Sequence, residues 1–233
     1  MSTKPINIGV VGVGHLGIHH VKHYAAIPNV NLLGIYDPDI KRSNYVAKKY
    51  KTIAFQNLKK LIKDVDALSI VTPTPNHFKT AKLCLKNKKH VFIEKPITVT
   101  LEEANKLLDL SKDNSTIIQV GHIERLNPAL MALEPYDINP KFIEIQRLAP
   151  YTVRGTDVPV VLDKMIHDID ILLSLVKSEV SSLEATGMSI ITDSLDMAHA
   201  RIQFKNGTTA SLMSSRIAPV SYTHLTLPTI LPV

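Results

Sequence analysis

A glycine loop near the start of the chain constrains the fold more than any other feature. An apolar run at residues 7–13 leads into the sequence Gly-Val-Gly-His-Leu-Gly of residues 12–17, which opens a helical pattern. Asp37 closes the next apolar run, at about the 20-residue interval expected of a dinucleotide fingerprint. Gly12 permits a tight turn, Gly14 lets the backbone approach a pyrophosphate, and Gly17 lets the helix pack on the strand. The helix N-terminus adds N–H groups and a partial positive charge. The segment therefore predicts a dinucleotide site formed by Gly12, Val13, Gly14, His15, Leu16, Gly17 and Asp37.

The first half of the chain alternates short apolar runs with helical patterns. The apolar runs cover residues 7–13, 31–36, 67–71, 90–93 and 117–120. The helical patterns lie between them, at residues 16–26, 40–49, 58–63, 77–86 and 101–111. Near-continuous apolar strands separated by helices are typical of a parallel sheet covered on both faces. We therefore predict an α/β fold, with a doubly wound Rossmann domain over residues 1–122.

The pattern changes after Gly121. An amphipathic helix is predicted at about residues 162–176, and strand-like runs lie at 141–148, 182–186, 198–204 and 208–214. Asn206-Gly207 joins the last two runs, which is a strong hairpin signal. Strands joined by hairpins indicate an antiparallel sheet, so we predict an α+β domain over residues 123–219 and expect it to be incomplete.

The last stretch, residues 220–233, resembles neither a strand nor a helix of a folded domain. Residues 220–229 read like the in-frame translation of a transposon-type sequencing adapter. We therefore expect residues 220–233 to be a non-native, adapter-derived tail and the biological sequence to stop near Pro219. On this interpretation His224 carries no function.

The chain is basic, with 27 Lys and Arg against 21 Asp and Glu and a formal net charge of +6. The lysines are scattered, aromatic residues make up 5% and tryptophan is absent, which argues against nucleic acid as a partner. A modest positive field favours a small anionic substrate. Cys84 is the single cysteine, so an internal disulfide is excluded. We see neither a signal peptide nor an apolar run of about 18 residues, and expect a cytoplasmic protein with no membrane partner.

Three histidines repeat every four residues along the first predicted helix, at His15, His19 and His23. That spacing places them on one helical face, as in a stripe of metal ligands. The helix opens at the dinucleotide loop, however, and no carboxylate or cysteine lies nearby in sequence. We therefore predict no metal site.

Two further loops follow buried strands and share the carboxyl edge of the predicted sheet. Thr72-Pro73 and His77 follow the run at 67–71, and Glu94-Lys95-Pro96 follows the run at 90–93. Ligands of open α/β sheets bind at this edge. We therefore predict cofactor contacts from Thr72, Pro73, His77, Glu94 and Lys95.

A titratable stripe runs along the amphipathic helix of the second half. Asp163 and His167 are four residues apart, and Asp170 and Ser174 continue the same face. One interpretation is an exposed ion-pair stripe, which is common on surface helices. The other is a catalytic pair, because histidine is well suited to accept a hydroxyl proton near neutral pH.

The glycine loop, Glu94-Lys95-Pro96 and the segment 163–170 together resemble the glucose–fructose oxidoreductase/inositol dehydrogenase (Gfo/Idh/MocA) family over residues 6–217. The resemblance implies NAD as cofactor, with Lys95, Asp163 and His167 as catalytic residues that flank the nicotinamide and a sugar. It also implies further strands in the second domain and a homo-oligomeric complete protein. No metal is implied.

Segments 120–129 and 154–157 resemble the branch of this family that acts on UDP-N-acetylglucosamine. The resemblance implies oxidation of a secondary hydroxyl of a sugar or nucleotide sugar to a ketone, at C3 of UDP-N-acetylglucosamine. Oxidation of an inositol or a free sugar remains an alternative, and so does a non-catalytic regulator that senses NAD. Four residues are candidates for substrate contacts, with solvent-facing or structural use as their alternative: His122, Arg125, Asn127 and Arg154.

The preference between NAD and NADP depends on the residues after the second apolar run. Asp37 can accept hydrogen bonds from a ribose diol, and its charge would repel a 2′-phosphate. Lys41 and Arg42 start the next helical pattern and could attract that phosphate. Because Asp37 is nearest to the ribose, we predict that NAD is preferred.

Overall fold

The computed structural model describes residues 4–152 and 156–227. The chain divides into two compact units between Gly121 and His122, one residue before the boundary expected from the sequence. Each unit has its own sheet and its own apolar core. Within the described ranges, no helix is long and apolar enough to cross a membrane.

The first unit contains a six-stranded sheet in which every pair of neighbouring strands is parallel. The strand order is β3-β2-β1-β4-β5-β6, so the order reverses between β1 and β4, where open α/β sheets bind their ligands. The predicted doubly wound Rossmann domain is confirmed. Its strands are β1 (Ile6–Val11), β2 (Val30–Tyr36), β3 (Ile53–Ala54), β4 (Ala67–Ile70), β5 (His90–Ile93) and β6 (Ile118–Val120).

Helices connect these strands, and apolar clusters form two cores in the unit. The larger core includes Cys84, and burial raises the pKa of its thiol to about 12, which marks a small packing residue rather than a nucleophile. A short 3-10 turn covers Thr74–Asn76. The helices are α1 (His15–Tyr24), α2 (Ile40–Tyr50), α3 (Leu58–Asp64), α4 (His77–Lys86) and α5 (Leu101–Asp113).

The second unit contains a five-stranded sheet in the order β11-β7-β10-β9-β8. Its strands are β7 (Phe142–Leu148), β8 (Val180–Met188), β9 (Met197–Phe204), β10 (Thr209–Ser215) and β11 (Tyr222–Thr226). The sheet is mixed rather than wholly antiparallel, because β7 pairs with β10 in parallel. A long connection through a helix and two strands separates β7 from β10, so no hairpin forces them to run in opposite directions.

The β9–β10 hairpin forms as predicted, with Gln203 opposite Thr209 and with Gly207 at φ +86° in the turn. The expectation that residues 220–233 contain no strand is wrong for part of that stretch. Tyr222–Thr226 forms β11 and pairs with the edge of β7. Its alternating aromatic, β-branched and apolar residues suit a half-buried strand, and the edge of β7 offers backbone groups to pair with.

The helical part of the second unit is irregular at its start. A single α-helix over 162–176 was expected, but the first turn, Val161–Met165, is π-helical, and α7 (Ile166–Leu175) follows it directly. Buried residues of this run, among them Met165 and Leu172, pack with the sheet residues Ile143 and Leu212. A short 3-10 turn (Ile123–Leu126) and α6 (Pro128–Met131) precede the sheet.

Candidate functional site

The glycine loop between β1 and α1 is shaped by two very close backbone contacts. Gly12 has φ +87°, a conformation that side chains disfavour, and a Cβ there would lie 2.7 Å from the carbonyl oxygen of Val71. A Cβ at Gly17 would lie 2.0 Å from the carbonyl oxygen of Gly12. Gly14, by contrast, has nothing within 4 Å of an added Cβ. The loop is therefore tight on its inner side and open at Gly14, the position predicted to receive a pyrophosphate.

The first turn of α1 presents backbone donors beside this opening. Gly14 is the N-cap of α1, and no side chain caps the helix. His15 and Leu16 are exposed in the first turn, while Gly17 is buried. The first N–H groups of a helix have no intrahelical partners, so they can donate to an anion.

Asp37 is buried at 7% exposure and connects β2 to the glycine loop. Its Oδ2 accepts the N–H of Val13 at 2.8 Å, and its Oδ1 accepts the N–H of Asp39 at 2.9 Å. Each carboxylate oxygen can accept a second hydrogen bond, so capacity for ribose hydroxyls remains. Arg42 lies 3.8 Å from Asp37 Oδ1 and also pairs with Asp39 at 3.2 Å.

We predict that Asp37→Asn shifts cofactor preference toward NADP. The substitution keeps the shape of the side chain and one carbonyl oxygen for Val13, but it removes the charge that repels a 2′-phosphate and leaves Arg42 to attract it. The ratio of the NADP⁺ and NAD⁺ dissociation constants should fall about tenfold, or about 1.4 kcal/mol. Titration calorimetry with both nucleotides measures the ratio.

The matched control is Arg42→Ala in the Asp37→Asn background, which should remove most of the gain in NADP⁺ affinity. Tighter binding of NADP⁺ than of NAD⁺ by the unsubstituted chain would show that Arg42 outweighs Asp37.

The loop after β4 contains two of the predicted cofactor contacts. The hydroxyl oxygen of Thr72 is buried and has no hydrogen-bond partner within the described part of the chain. The Thr72 backbone also lies against Gly12, since a Cβ on Gly12 would come 3.0 Å from the Thr72 nitrogen. Pro73 is exposed and precedes the 3-10 turn. A buried hydroxyl without a partner next to the glycine loop is a candidate ligand group.

His77 joins two loops rather than pointing at a ligand. It is 1% exposed, and its Nδ1 and Nε2 each lie 2.8 Å from a carbonyl oxygen, those of Pro96 and Thr72 respectively. Each ring nitrogen therefore faces a carbonyl oxygen of the same unit, and carbonyls accept only. The expectation of a direct cofactor contact from His77 is therefore corrected, because both ring nitrogens are used inside the unit.

Glu94 and Lys95 follow β5. Glu94 Oε1 lies 3.0 Å from His20 Nε2, and Glu94 Oε2 accepts the N–H of Lys95 at 3.3 Å. Both carboxylate oxygens thus have one partner within the unit, and a cofactor contact from Glu94 stays a prediction. Lys95 is half-buried.

Asp163 and His167 occupy the irregular start of the helical run in the second unit. Asp163 lies in the π-helical turn, 3.7 Å from the ammonium group of Lys164, and His167 lies in the first turn of α7. Both side chains are half-buried. Single π-helical turns occur often at functional sites, and Asp163 lies within this one.

The four predicted substrate residues have different surroundings. Arg125 donates to both oxygens of Asp170, at 2.6 and 2.7 Å, and His122 Nδ1 lies 3.8 Å from the same carboxylate. Asn127 caps α6 by accepting the N–H of Ala129 at 3.0 Å. These contacts favour the structural alternative for Arg125 and Asn127. Arg154 lies outside the described residues.

A buried ion pair in the second unit was not found from the sequence. Arg147 donates to Asp168 Oδ1 at 2.8 and 2.9 Å, and Ser214 donates to Oδ2 at 3.4 Å. Burial raises the pKa of Asp168 more than Arg147 lowers it. Asp168 lies three residues after Met165 and four before Leu172, on the buried stripe of the helix, and a carboxylate in such a stripe indicates a buried partner.

A second buried carboxylate supports a turn. Asp196 Oδ2 accepts the N–H groups of Ile190, Ile191 and Thr192 at 2.7–2.9 Å, and these bonds hold the pKa of Asp196 well below its usual range. Within the described ranges, no three potential metal ligands cluster.

The first unit has the features that NAD requires. The Gly12–Gly14 backbone and the first turn of α1 fit a pyrophosphate, Asp37 fits the adenosine ribose, and the buried Thr72 hydroxyl offers a further partner. This combination defines an NAD-binding Rossmann domain.

Family models match most of the chain. Residues 6–122 match the oxidoreductase family with the NAD-binding Rossmann fold, and residues 149–228 match the GFO/IDH/MocA C-terminal domain. The chain therefore belongs to the GFO/IDH/MocA oxidoreductase family.

Individual relatives agree with this assignment. The chain is 40% identical over 210 residues to UDP-N-acetylglucosamine 3-dehydrogenase from Acidithiobacillus ferrooxidans, covering 90% of this chain and 66% of that protein. It is 27% identical over 236 residues to the scyllo-inositol 2-dehydrogenase (NAD(+)) of Bacillus subtilis, covering 93% and 69%. The chain thus spans about two thirds of the length of the curated relatives it matches.

Solved structures show the same fold. The A. ferrooxidans UDP-N-acetylglucosamine 3-dehydrogenase superposes with a TM-score of 0.89 at 37% identity, over 95% of this chain and 71% of that one. The scyllo-inositol dehydrogenase from Lactobacillus casei with bound NAD(H) and scyllo-inositol superposes with a TM-score of 0.81 at 22% identity, over 97% and 76%. The second likeness supports the fold alone.

Proposed function

We propose that the protein is an NAD-dependent dehydrogenase that oxidises a secondary hydroxyl of a nucleotide sugar to a ketone, at C3 of UDP-N-acetylglucosamine. The observation that carries the proposal is the 40% identity to a UDP-N-acetylglucosamine 3-dehydrogenase over 90% of this chain. The NAD-binding cradle of the first unit and the Asp163/His167 pair of the second supply groups that such a reaction uses.

The proposed reaction needs one proton acceptor and a polarised oxygen, and bound NAD accepts the hydride. His167 accepts the proton of the reacting hydroxyl. Asp163, one turn earlier, holds the imidazole in the required tautomer. Lys95 stabilises the oxygen as it becomes a carbonyl, because an ammonium group favours developing negative charge.

A UDP-sugar contains a negatively charged diphosphate, which positive charge on the protein attracts. The chain has a formal net charge of +6. Arg125 contributes little to this attraction in the proposal because its guanidinium is held by Asp170. His122 stays a candidate for a sugar contact, since its Nδ1 forms no hydrogen bond within the described part of the chain.

A panel of substrates with the complete gene product tests the proposal, because the chain spans about two thirds of the length of its curated relatives. We expect NADH formation, followed at 340 nm, with UDP-N-acetylglucosamine, and a kcat/KM at least tenfold lower with myo-inositol, scyllo-inositol, glucose and UDP-glucose. A preference for an inositol or a free sugar would select that alternative, which the 27% identity to an inositol dehydrogenase keeps open. NAD binding without turnover of any substrate would favour an NAD-sensing regulator.

Assembly and location belong to the same proposal. We propose a homo-oligomer for the complete protein, supported by β8, which is exposed along its whole length and includes the apolar residues Val180, Leu183 and Met188. We also propose a cytoplasmic location, because disulfides are typical of oxidising compartments and Cys84 is the single cysteine of the chain.

A further inference from the structure

A chain of polar side chains in the first unit connects α1 to the segment that contains Lys95. His20 Nδ1 lies 2.9 Å from the hydroxyl of Ser69, and His20 Nε2 lies 3.0 Å from Glu94 Oε1. The ring of Tyr24, one helical turn after His20, lies 6.4 Å from the His20 ring between centroids. Ser69 is fully buried and His20 is largely buried, so the hydrogen bonds between these side chains are shielded from water. Three elements meet in this chain of side chains: α1 contributes His20, β4 contributes Ser69, and Glu94 follows the end of β5.

The direction of these hydrogen bonds is set by Glu94, because a carboxylate only accepts. His20 Nε2–H therefore donates to Glu94, and Ser69 donates to His20 Nδ1. In an imidazolium, Nδ1 would also be a donor, and the buried Ser69 proton would lose this acceptor. The geometry therefore requires a proton on Nε2 of His20 and favours the tautomer whose Nδ1 accepts from Ser69.

The carboxylate of Glu94 is confined on its other side as well. Its Oε2 accepts the backbone N–H of Lys95 at 3.3 Å. A Cβ on Gly121 would lie 2.9–3.0 Å from the carboxylate, so this glycine leaves the room that the group occupies. Glu94 thus connects the ring of His20 to the backbone of Lys95.

We propose that His20 is a positioning residue, which holds Glu94 and through it the backbone of Lys95. The inference rests on the proposed function, in which Lys95 acts on the substrate oxygen. His20 follows Gly17 by one helical turn, so the same helix presents its first turn to the pyrophosphate and its side chain to the Glu94-Lys95-Pro96 segment. One rigid element thereby places both groups.

Two amide substitutions separate the two hydrogen bonds of His20. The amide of Gln reaches about as far as Nε2 and can still donate to Glu94, whereas the amide of Asn reaches only as far as Nδ1 and can serve Ser69 alone. We expect kcat to fall about 10- to 100-fold in His20→Asn, with a smaller change in KM for the substrate, because misplaced catalytic groups lower the rate more than binding. His20→Gln should recover most of that loss. His23→Ala, an exposed histidine on the same helix, is the control and should leave kcat unchanged.

Nuclear magnetic resonance tests the placement without any turnover. A ¹⁵N–¹H correlation spectrum of the imidazoles should show His20 as the neutral Nε2–H tautomer, assigned by its loss in His20→Gln. The backbone amide resonance of Lys95 should shift in His20→Asn and stay near its original position in His20→Gln. Failure to oxidise any substrate would remove the proposed function and leave these two signals to decide the positioning role.

Either of two results overturns the inference. One is a His20 that is protonated on Nδ1 or on both nitrogens at neutral pH. The other is an equal effect of the Asn and Gln variants, on kcat where there is turnover or on the Lys95 amide where there is none, since a residue that only fills space would not distinguish them. Thermal unfolding of each variant shows whether it is folded, and an unfolded Asn variant leaves the tautomer of the unsubstituted chain as the deciding result.

Discussion

Replacement of His167 by alanine is expected to lower kcat about 10²- to 10⁴-fold, because removal of a general base leaves the hydroxyl proton without an acceptor. That range corresponds to about 3–5.5 kcal/mol of lost transition-state stabilisation. The loss should appear in kcat and kcat/KM together, since proton transfer occurs in the transition state and not in the ground-state complex. NADH formation at saturating NAD⁺ and UDP-N-acetylglucosamine provides the measurement.

The control for this variant is Ser174→Ala, on an exposed position of the same helix where the hydroxyl donates to the carbonyl of Ile171. It should keep wild-type turnover. The affinity of His167→Ala for NAD⁺ should also be unchanged, because the dinucleotide cradle lies in the first unit. Near-normal turnover by His167→Ala would remove this residue from the mechanism and leave Lys95 as the candidate for proton transfer.

The parts of the fold that were predicted correctly depend on local chemistry. Gly12 takes a positive φ and Gly17 lies against a carbonyl oxygen, and both requirements can be met by glycine alone. The strand order of the first unit follows from alternating strands and helices, because right-handed crossovers leave few arrangements.

Two parts of the fold were missed, one because it depends on partners distant in sequence and one because it changes the helical repeat only slightly. The parallel pairing of β7 with β10 is decided by where a long connection returns, which periodicity does not report. The π-helical turn at Val161–Met165 adds a residue to the helical repeat without changing its apolar pattern enough to be recognised.

In the candidate site, too, the features that follow from local sequence were predicted and those that depend on spatial partners were missed. Lys95 and His77 were placed at the carboxyl edge from the strands they follow, but the use of both His77 nitrogens by Thr72 and Pro96 is visible only in three dimensions. Arg125 was a reasonable candidate for a phosphate contact until its pairing with Asp170, 45 residues away, was seen. His20 was not selected as a site residue from the sequence, because its partners Ser69 and Glu94 lie 49 and 74 residues further along the chain.

The pair Gly17→Ala and Gly14→Ala should separate folding from cofactor binding in the glycine loop. A methyl group at Gly17 would lie 2.0 Å from the carbonyl oxygen of Gly12, which is backbone and therefore moves only if the loop or α1 moves. We expect Gly17→Ala to lower the free energy of unfolding by about 3 kcal/mol or more, at the upper end of the usual cost of overpacking. Displacement of the loop should also weaken NAD⁺ binding by about 100-fold, or about 2.7 kcal/mol.

Gly14→Ala adds the same methyl group where nothing lies within 4 Å, so the fold should tolerate it. The loss of glycine at this N-cap should cost less than about 1 kcal/mol of stability. NAD⁺ binding should nevertheless weaken about tenfold, because the methyl group occupies the space through which the pyrophosphate approaches the backbone. Urea denaturation and calorimetric titration with NAD⁺ measure the two effects. Equal stability of the two variants would contradict the close contact between Gly17 and Gly12, and unchanged NAD⁺ affinity in Gly14→Ala would move the pyrophosphate away from this opening.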